Sequence, residues 1–188
     1  MDLRETLSCQ LFNPLIFEDG VQSKQGVYTL KHRQARMAER STIRKAELAD
    51  ATGIKDCVEA AYRGYIPRMG QKPGPMLDDY SQVISSHQVF VLEEEGQVIG
   101  VAVLVTGKEG ILLDNVAVHP DRQGGGLGRQ LIAFAENEAL KQGSTSLDLY
   151  THKSMTENIG LYESLGYIET DRRTESGYQR VYMRKSLA

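Results

Sequence analysis

The feature that most constrains this chain is a glycine run, Gln123-Gly124-Gly125-Gly126-Leu127-Gly128, set between an apolar strand and an amphipathic helix. The strand spans residues 110–118 and leaves through His119-Pro120. The helix spans residues 129–142, with Leu131, Phe134, Ala135 and Ala139 on one side and Gly143 as its stop. Glycines at such a junction let the backbone turn with positive φ and bring bare N–H groups close to a ligand. The helix start adds unpaired N–H groups and the positive end of a dipole. Together these parts predict a cradle for phosphate. A plain tight turn is the structural alternative.

Two nucleotide patterns fail here. The ATP-binding loop needs Lys and then Ser or Thr after its last glycine, and Arg129-Gln130 stand there instead. The dinucleotide pattern, counted from Gly124, would put its last glycine at Arg129, and counted from Gly126 at Leu131.

Around this loop the apolar periodicity predicts further elements. Residues 42–46 read as a short strand. Ile54, Val58, Ala61 and Tyr65 mark a helix, N-capped by Asp50 or Thr52 and ended near Ile66-Pro67. Residues 67–75 form a loop and residues 76–84 a second helix. Strands 89–93 and 97–105 make a hairpin through Glu94-Glu95-Gly96. After the long helix come a strand at 146–150, a helix at 157–165 stopped by Gly166, and strand pieces at 167–168 and 180–183. The order is β-αα-βββ-α-β-α-β, an α+β sandwich around a mixed sheet.

Residues 41–188 make one domain. Residues 1–40, broken by Asn13-Pro14, Glu18-Asp19-Gly20 and Gly26, read as an N-terminal arm, disordered in part. A dimer-bridging element is the alternative for that arm.

Charge and composition remove several function classes. The net charge of -3 over 188 residues gives no general attraction to nucleic acid or to an anionic membrane. No apolar run approaches the ~20 residues that span a bilayer. Met1-Asp-Leu-Arg-Glu5 lacks the apolar region of a signal peptide, so a cytoplasmic location is expected. Cys9 and Cys57 fit no metal spacing and read as reduced thiols, with no metal site expected.

With Val116-Ala-Val-His-Pro120 before it, the glycine run resembles the acetyl-CoA-binding motif of the GNAT superfamily of N-acetyltransferases, [QR]-x-x-G-x-[GA]. The resemblance extends, less specifically, from Thr42 to the C-terminus. It implies a GNAT-like three-layer sandwich with acetyl-CoA as cosubstrate. The pyrophosphate would lie on the loop formed by Gln123, Gly124, Gly125, Gly126, Leu127, Gly128 and Arg129. The preceding strand would splay from its neighbour, and Val116 and Val118 would hold the pantetheine arm.

Residues 155–167 are similar to a second family stretch, N-x-x-x-x-[LY]-Y-x-x-x-G-[FY], with Gly160-Leu161 where many members carry two larger residues. The resemblance implies that Asn158 holds the cofactor and Tyr162 lies near its sulfur. Asn158 and Tyr162 are four residues apart and share a helix face. A phenol with a pKa of about 10 can protonate a departing thiolate. Packing for Tyr162 and helix capping for Asn158 are the alternatives.

An alkylammonium acceptor is free amine to only about one part in 10³ at neutral pH, a handicap of roughly 4 kcal/mol. Asp114, His119 and His152 are the candidate bases. Asp114 ranks first because a carboxylate in an apolar strand needs a reason. Attack by a neutral amine without a base stays open. The acceptor pocket would draw on Tyr62, Tyr65, Arg68, Asp79 and Tyr80 from the first two helices and their loop, with Tyr150 and Tyr178.

The expected function is transfer of acetyl by direct attack of a primary amine, small or protein-borne, with Tyr162 as general acid. A non-catalytic CoA-binding regulatory domain of the same fold is the alternative. A homodimer would be a common arrangement for such a protein.

Overall fold

The computed structural model describes residues 41–107 and 110–187. The arm expected at residues 1–40, and Cys9 within it, lie outside the described residues. The strands are β1 (Ser41–Lys45), β2 (Gln88–Glu94), β3 (Gln97–Gly107), β4 (Gly110–Val118), β5 (Ser146–His152), β6 (Ile168–Glu175) and β7 (Tyr178–Ser186). They form one mixed sheet in the order β1-β2-β3-β4-β5-β7-β6. The pairing of β4 with β5 is parallel, and the other neighbours are antiparallel. The helices are α1 (Ala51–Tyr62), α2 (Ile66–Met69), α3 (Tyr80–Ser86), α4 (Leu127–Lys141) and α5 (Thr156–Ser164).

The sandwich has three layers. On one face Leu131, Ile132 and Ala135 of α4 and Tyr162 of α5 pack on Leu92, Leu104, Leu113, Leu149 and Met183. On the other, Ile54 and Val58 of α1 and Tyr80 of α3 pack on Val89, Val91, Val101 and Val103. Each large aliphatic side chain buried in this way contributes about 1.5–3 kcal/mol.

Three details depart from the sequence expectation. Pro67 does not end a helix; it sits in the first turn of α2, where its missing N–H would have had no partner anyway. The second helix begins at Tyr80 rather than at residue 76, because the Asp79 carboxylate accepts the Ser81 N–H at 3.0 Å and caps it there. The chain ends in two strands, β6 and β7, where the sequence order had one. They are joined through Ser176 (φ 51) and Gly177 (φ 81), the same left-handed pair as Glu95 (φ 51) and Gly96 (φ 77) between β2 and β3. Two-residue turns of this hand match the twist of a hairpin. β6 is exposed along its whole length and carries no apolar alternation to reveal it.

Two irregularities of β4 create the site. Val103 pairs with Asn115, but Leu104 pairs with Leu113, so Asp114 is an extra residue, a bulge. The bulge reverses which face each residue takes. Below it Ile111 and Leu113 face the α4 layer; above it Val116 and Val118 do, while Ala117 turns to the α1 layer. At the same level the β4–β5 pairing stops at Leu113 opposite Leu149, and the two strands part.

Candidate active site

Where β4 and β5 part, two hollows meet. The first is a groove of about 1300 Å³, mouth included, over the start of α4. Val116, Ala117 and Val118 form one wall, and Gln123, Gly124, Gly126, Leu127, Gly128 and Arg129 form its end. Gly124 (φ 79) and Gly126 (φ 83) take the left-handed conformation, and Gly126 is the N-cap of α4. A Cβ added at Gly124, Gly126 or Gly128 would meet nothing within 4 Å, so open space lies above the loop. The N–H groups of residues 124–129 have no acceptor among the described residues. The loop is braced from below by the Gln123 side chain, which donates to the Val118 carbonyl at 2.9 Å. Arg129 lines the groove and donates to Ser164 Oγ at 2.9 Å. Gly125 belongs to the loop but does not line the groove. Unpaired donors at a helix start, with open space above them, are what an anion cradle is made of.

The second hollow, of about 610 Å³, opens between β4, β5, β7 and the loop after α2. Leu113, Asp114, Tyr150, Thr151, His152, Met155, Tyr178 and Arg180 form its floor and sides, with Met69, Pro73, Gly74 and Pro75 above. That loop is fastened by the β6–β7 turn. Gln71 Nε2 donates to the Gly177 carbonyl at 3.0 Å, and the Tyr178 hydroxyl donates to the Lys72 carbonyl at 2.8 Å.

Tyr62, Val116, Asn158 and Tyr162 line both hollows and mark where they join. Tyr162 is only 6% exposed, and its hydroxyl makes no hydrogen bond to any described residue. Burial, and behind it the neighbouring Tyr65, pushes its phenol above the usual range, so it keeps its proton. Its ring meets that of Tyr167 edge-on, with centroids 5.8 Å apart. Asn158 turns its Nδ2 toward Met155 Sδ at 3.6 Å.

The three base candidates separate clearly. Asp114 lines the second hollow and accepts the Tyr150 hydroxyl at 2.7 Å. His152 lines it too, but its Nδ1 accepts the Ser154 N–H at 3.2 Å, which leaves the proton on Nε2. Burial and Lys153 hold its pKa below the usual value, so the ring is neutral with its lone pair engaged. His119 lies away from both hollows, where its Nδ1 faces the Asp121 N–H at 3.4 Å.

The expected acceptor residues divide in the same way. Tyr62 and Tyr150 line the cavity, and Tyr65 lines the groove, with its ring 5.3 Å from the Arg68 guanidinium. Tyr80 lines neither: it is buried, donates to the Pro75 carbonyl at 2.9 Å and accepts from Asn115 Nδ2 at 3.1 Å. Arg68 also lines neither. It reaches the start of α5, pairing with Glu157 at 2.6 Å and donating to the Ser154 carbonyl, and so ties the helical layer to the helix that carries Tyr162.

Two residues were missed. Asn115, 4% exposed, accepts the Tyr62 hydroxyl at 2.8 Å and links it to Tyr80. A second polar side chain beside Asp114 in an apolar strand was the available signal. Arg180 stands 4.0 Å over the Tyr150 ring and pairs with Glu175 at 2.7 Å. Only its alternation with Val181 and Met183 in β7 hinted that it faces away from the core.

Comparison with known proteins agrees with this geometry. Residues 85–169 match the family model described as acetyltransferase (GNAT) domain. Over 84 residues the chain is 37% identical to the ribosomal protein bS18-alanine N-acetyltransferase of Escherichia coli, covering 45% of this chain and 57% of that protein. The match thus spans just over half the length of that curated relative. The crystal structure of the Escherichia coli S18-alanine enzyme superposes with a TM-score of 0.64 at 26% identity, over 79% of this chain and 94% of that one. The PaiA N-acetyltransferase of Thermoplasma acidophilum, solved in complex with coenzyme A, shares the fold with a TM-score of 0.65 at 16% identity, over 78% and 98%.

Proposed function

Because the chain belongs to the GNAT superfamily of acetyltransferases, we propose that it is an acetyl-CoA-dependent N-acetyltransferase acting on a primary amine by direct attack. The observation that carries this reading is the junction at Tyr162. An unbonded, protonated phenol lies where a phosphate-binding groove opens into a separate cavity. The curated relative's name gives an alanine of ribosomal protein bS18 as its acceptor, which keeps a protein amine among the candidates.

Acetyl-CoA supplies the activated thioester. The N–H groups of residues 124–129 hold its pyrophosphate, and Asn158 and the edge of β4 at Val116 and Val118 hold its arm. The Val116 carbonyl already accepts the Tyr62 hydroxyl at 3.3 Å, and the Val118 carbonyl is taken by Gln123. The arm is therefore left mainly the backbone groups not engaged by side chains. The amine enters from the second cavity. Asp114, steadied by Tyr150, holds the ammonium and takes one proton from it, passing that proton to solvent. As the nitrogen–carbon bond forms and the carbon–sulfur bond breaks, Tyr162 gives its proton to sulfur. The second proton lost by nitrogen replaces it.

The test is thermal shift with CoA, acetyl-CoA, ATP and NAD, followed by thiol release with a panel of amines. Stabilisation by either CoA species and amine-dependent thiol release are expected. Stabilisation by ATP alone would sink the reading. Stabilisation by CoA with no thiol release from any amine would instead favour a binding domain without catalysis.

A further inference from the structure

The cavity beyond Tyr162 has a division of charge that acetyl transfer by itself does not require. Two formally charged side chains line it, and both touch one ring, Asp114 at its hydroxyl and Arg180 over its face. Asp114 accepts the Tyr150 hydroxyl at 2.7 Å, while the Arg180 guanidinium carbon lies 4.0 Å over the centre of the same ring. His152 belongs with Arg180, since the two residues are direct cross-strand partners on β5 and β7. His152 is 9% exposed, and its Nε2–H has no partner among the described residues. His152 lines the cavity, so this donor can be offered to a ligand acceptor there. Met69, Pro73, Pro75, Met155 and Tyr178 give it apolar and aromatic walls, and Thr151 and Asn158 are further polar lining residues.

We propose that the acceptor is a free α-amino acid with an apolar side chain, its ammonium held by Asp114 and its carboxylate by Arg180 and His152. The proposal rests on the acetyl-transfer reading and narrows it. A carboxylate at the Tyr150 hydroxyl and two donors grouped beside the same ring, Arg180 over its face and His152 opposite Arg180 across the strands, suit a compact zwitterion. A polyamine would bring a second cation against Arg180. A peptide N-terminus has no carboxylate at that distance and would leave Arg180 and His152 Nε2–H without the partner they are arranged for. Arg180 spends Nη1 on Glu175, whose carboxylate lies toward solvent, and a planar guanidinium has further donors to offer the ligand. Specificity would then come from β4, β5 and β7, and the acetyl-CoA loop would have no share in it.

The experiment measures thiol release by the full chain with L-methionine and L-phenylalanine, their carboxamides, phenethylamine, a methionine-led dipeptide and spermidine. The free acids should exceed their carboxamides at least tenfold in kcat/KM. Arg180→Gln should raise KM for the acids at least tenfold and close the gap to the carboxamides. Glu175→Gln, which releases the guanidinium from its internal partner, should lower KM for the acids and not for the carboxamides. Equal or better turnover of the carboxamides, the dipeptide or spermidine overturns the proposal while acetyl transfer stands. A gap that survives Arg180→Gln overturns it also. If Arg180→Gln does not fold, an unchanged acid KM in Glu175→Gln does the same. Silence with every amine overturns both the proposal and the reading beneath it.

Discussion

The groove over α4 and the cavity beside β7 meet at Tyr162, yet they are made of different material. The groove takes one wall and its end from a single stretch of chain, residues 116–129, where N–H groups are freed by two left-handed glycines and a helix start, and residues around Tyr62 and Asn158 complete it. The cavity is built from side chains supplied by a loop near residue 73, by β4 and β5, and by β7 near residue 180. A backbone site tolerates almost any side chain so long as the turn is kept. A side-chain site changes its ligand with each substitution. On the proposed reading the protein pairs a fixed donor end with an adjustable acceptor end, and each can be perturbed alone.

The largest effect should come at the meeting point. Tyr162→Phe removes the proton donor and keeps the ring, so kcat should fall on the order of 100-fold with acetyl-CoA affinity held within about twofold. Steady-state kinetics and calorimetric binding read the two separately, and an equal loss of affinity would break the comparison. Because burial raises this phenol above its usual value, kcat should show no alkaline limb from it up to about pH 10.

Next comes Asn115→Ala, which strips Tyr62 and Tyr80 of a buried partner and should cost about 2 kcal/mol in denaturant unfolding. The amine KM should rise while acetyl-CoA binding is kept. Gly126→Val acts on the other side alone. Forcing a branched residue to φ 83 costs roughly 1–2 kcal/mol, which should weaken acetyl-CoA about tenfold and leave the amine KM unmoved.

The smallest effect is expected at the tie between the layers. Arg68→Ala should lower stability only slightly, because both partners are largely exposed and solvent screens the pair. Arg68 holds Glu157 down at about 2, below its ordinary 4.5. A depressed carboxylate stabilises the fold above its unfolded value and loses that contribution as pH falls through the folded one. The gap between wild type and variant should therefore be full above about pH 4.5 and vanish near pH 2.

The same contrast explains what could be read from the sequence. β4 was legible to its ends, and the glycine loop, Asn158 and Tyr162 fell where expected, because each is specified by neighbours a few residues away. Asp114 and Tyr150 were picked out singly, but nothing local says that one bonds the other across 36 positions. Tyr80 and Arg68 resembled pocket residues by type. Only the tertiary arrangement turned the first into a prop beneath Pro75 and the second into a brace on α5. The part Arg180 plays in the cavity passed unnoticed, and β6 beyond Ile168 lacked an apolar rhythm to reveal it. Pro67 misled because proline stops a helix from within and starts one at its first turn, and the difference depends on the residues before it.

The bulge at Asp114 has a meaning that outlasts its carboxylate. It works as a phase slip, since one added residue lets a single strand present Leu113 and Val116 to the same layer. Replacing Asp114 would alter chemistry and spare the lattice of contacts. Deleting it would rotate every residue from Asn115 to Val118 by half a turn, sending Val116 and Val118 toward α1 and turning Asn115 away from Tyr62 and Tyr80. In this strand the count of residues is therefore guarded more strictly than their identity, and a lineage of such proteins could rewrite the letter at this position far more easily than it could lose the space.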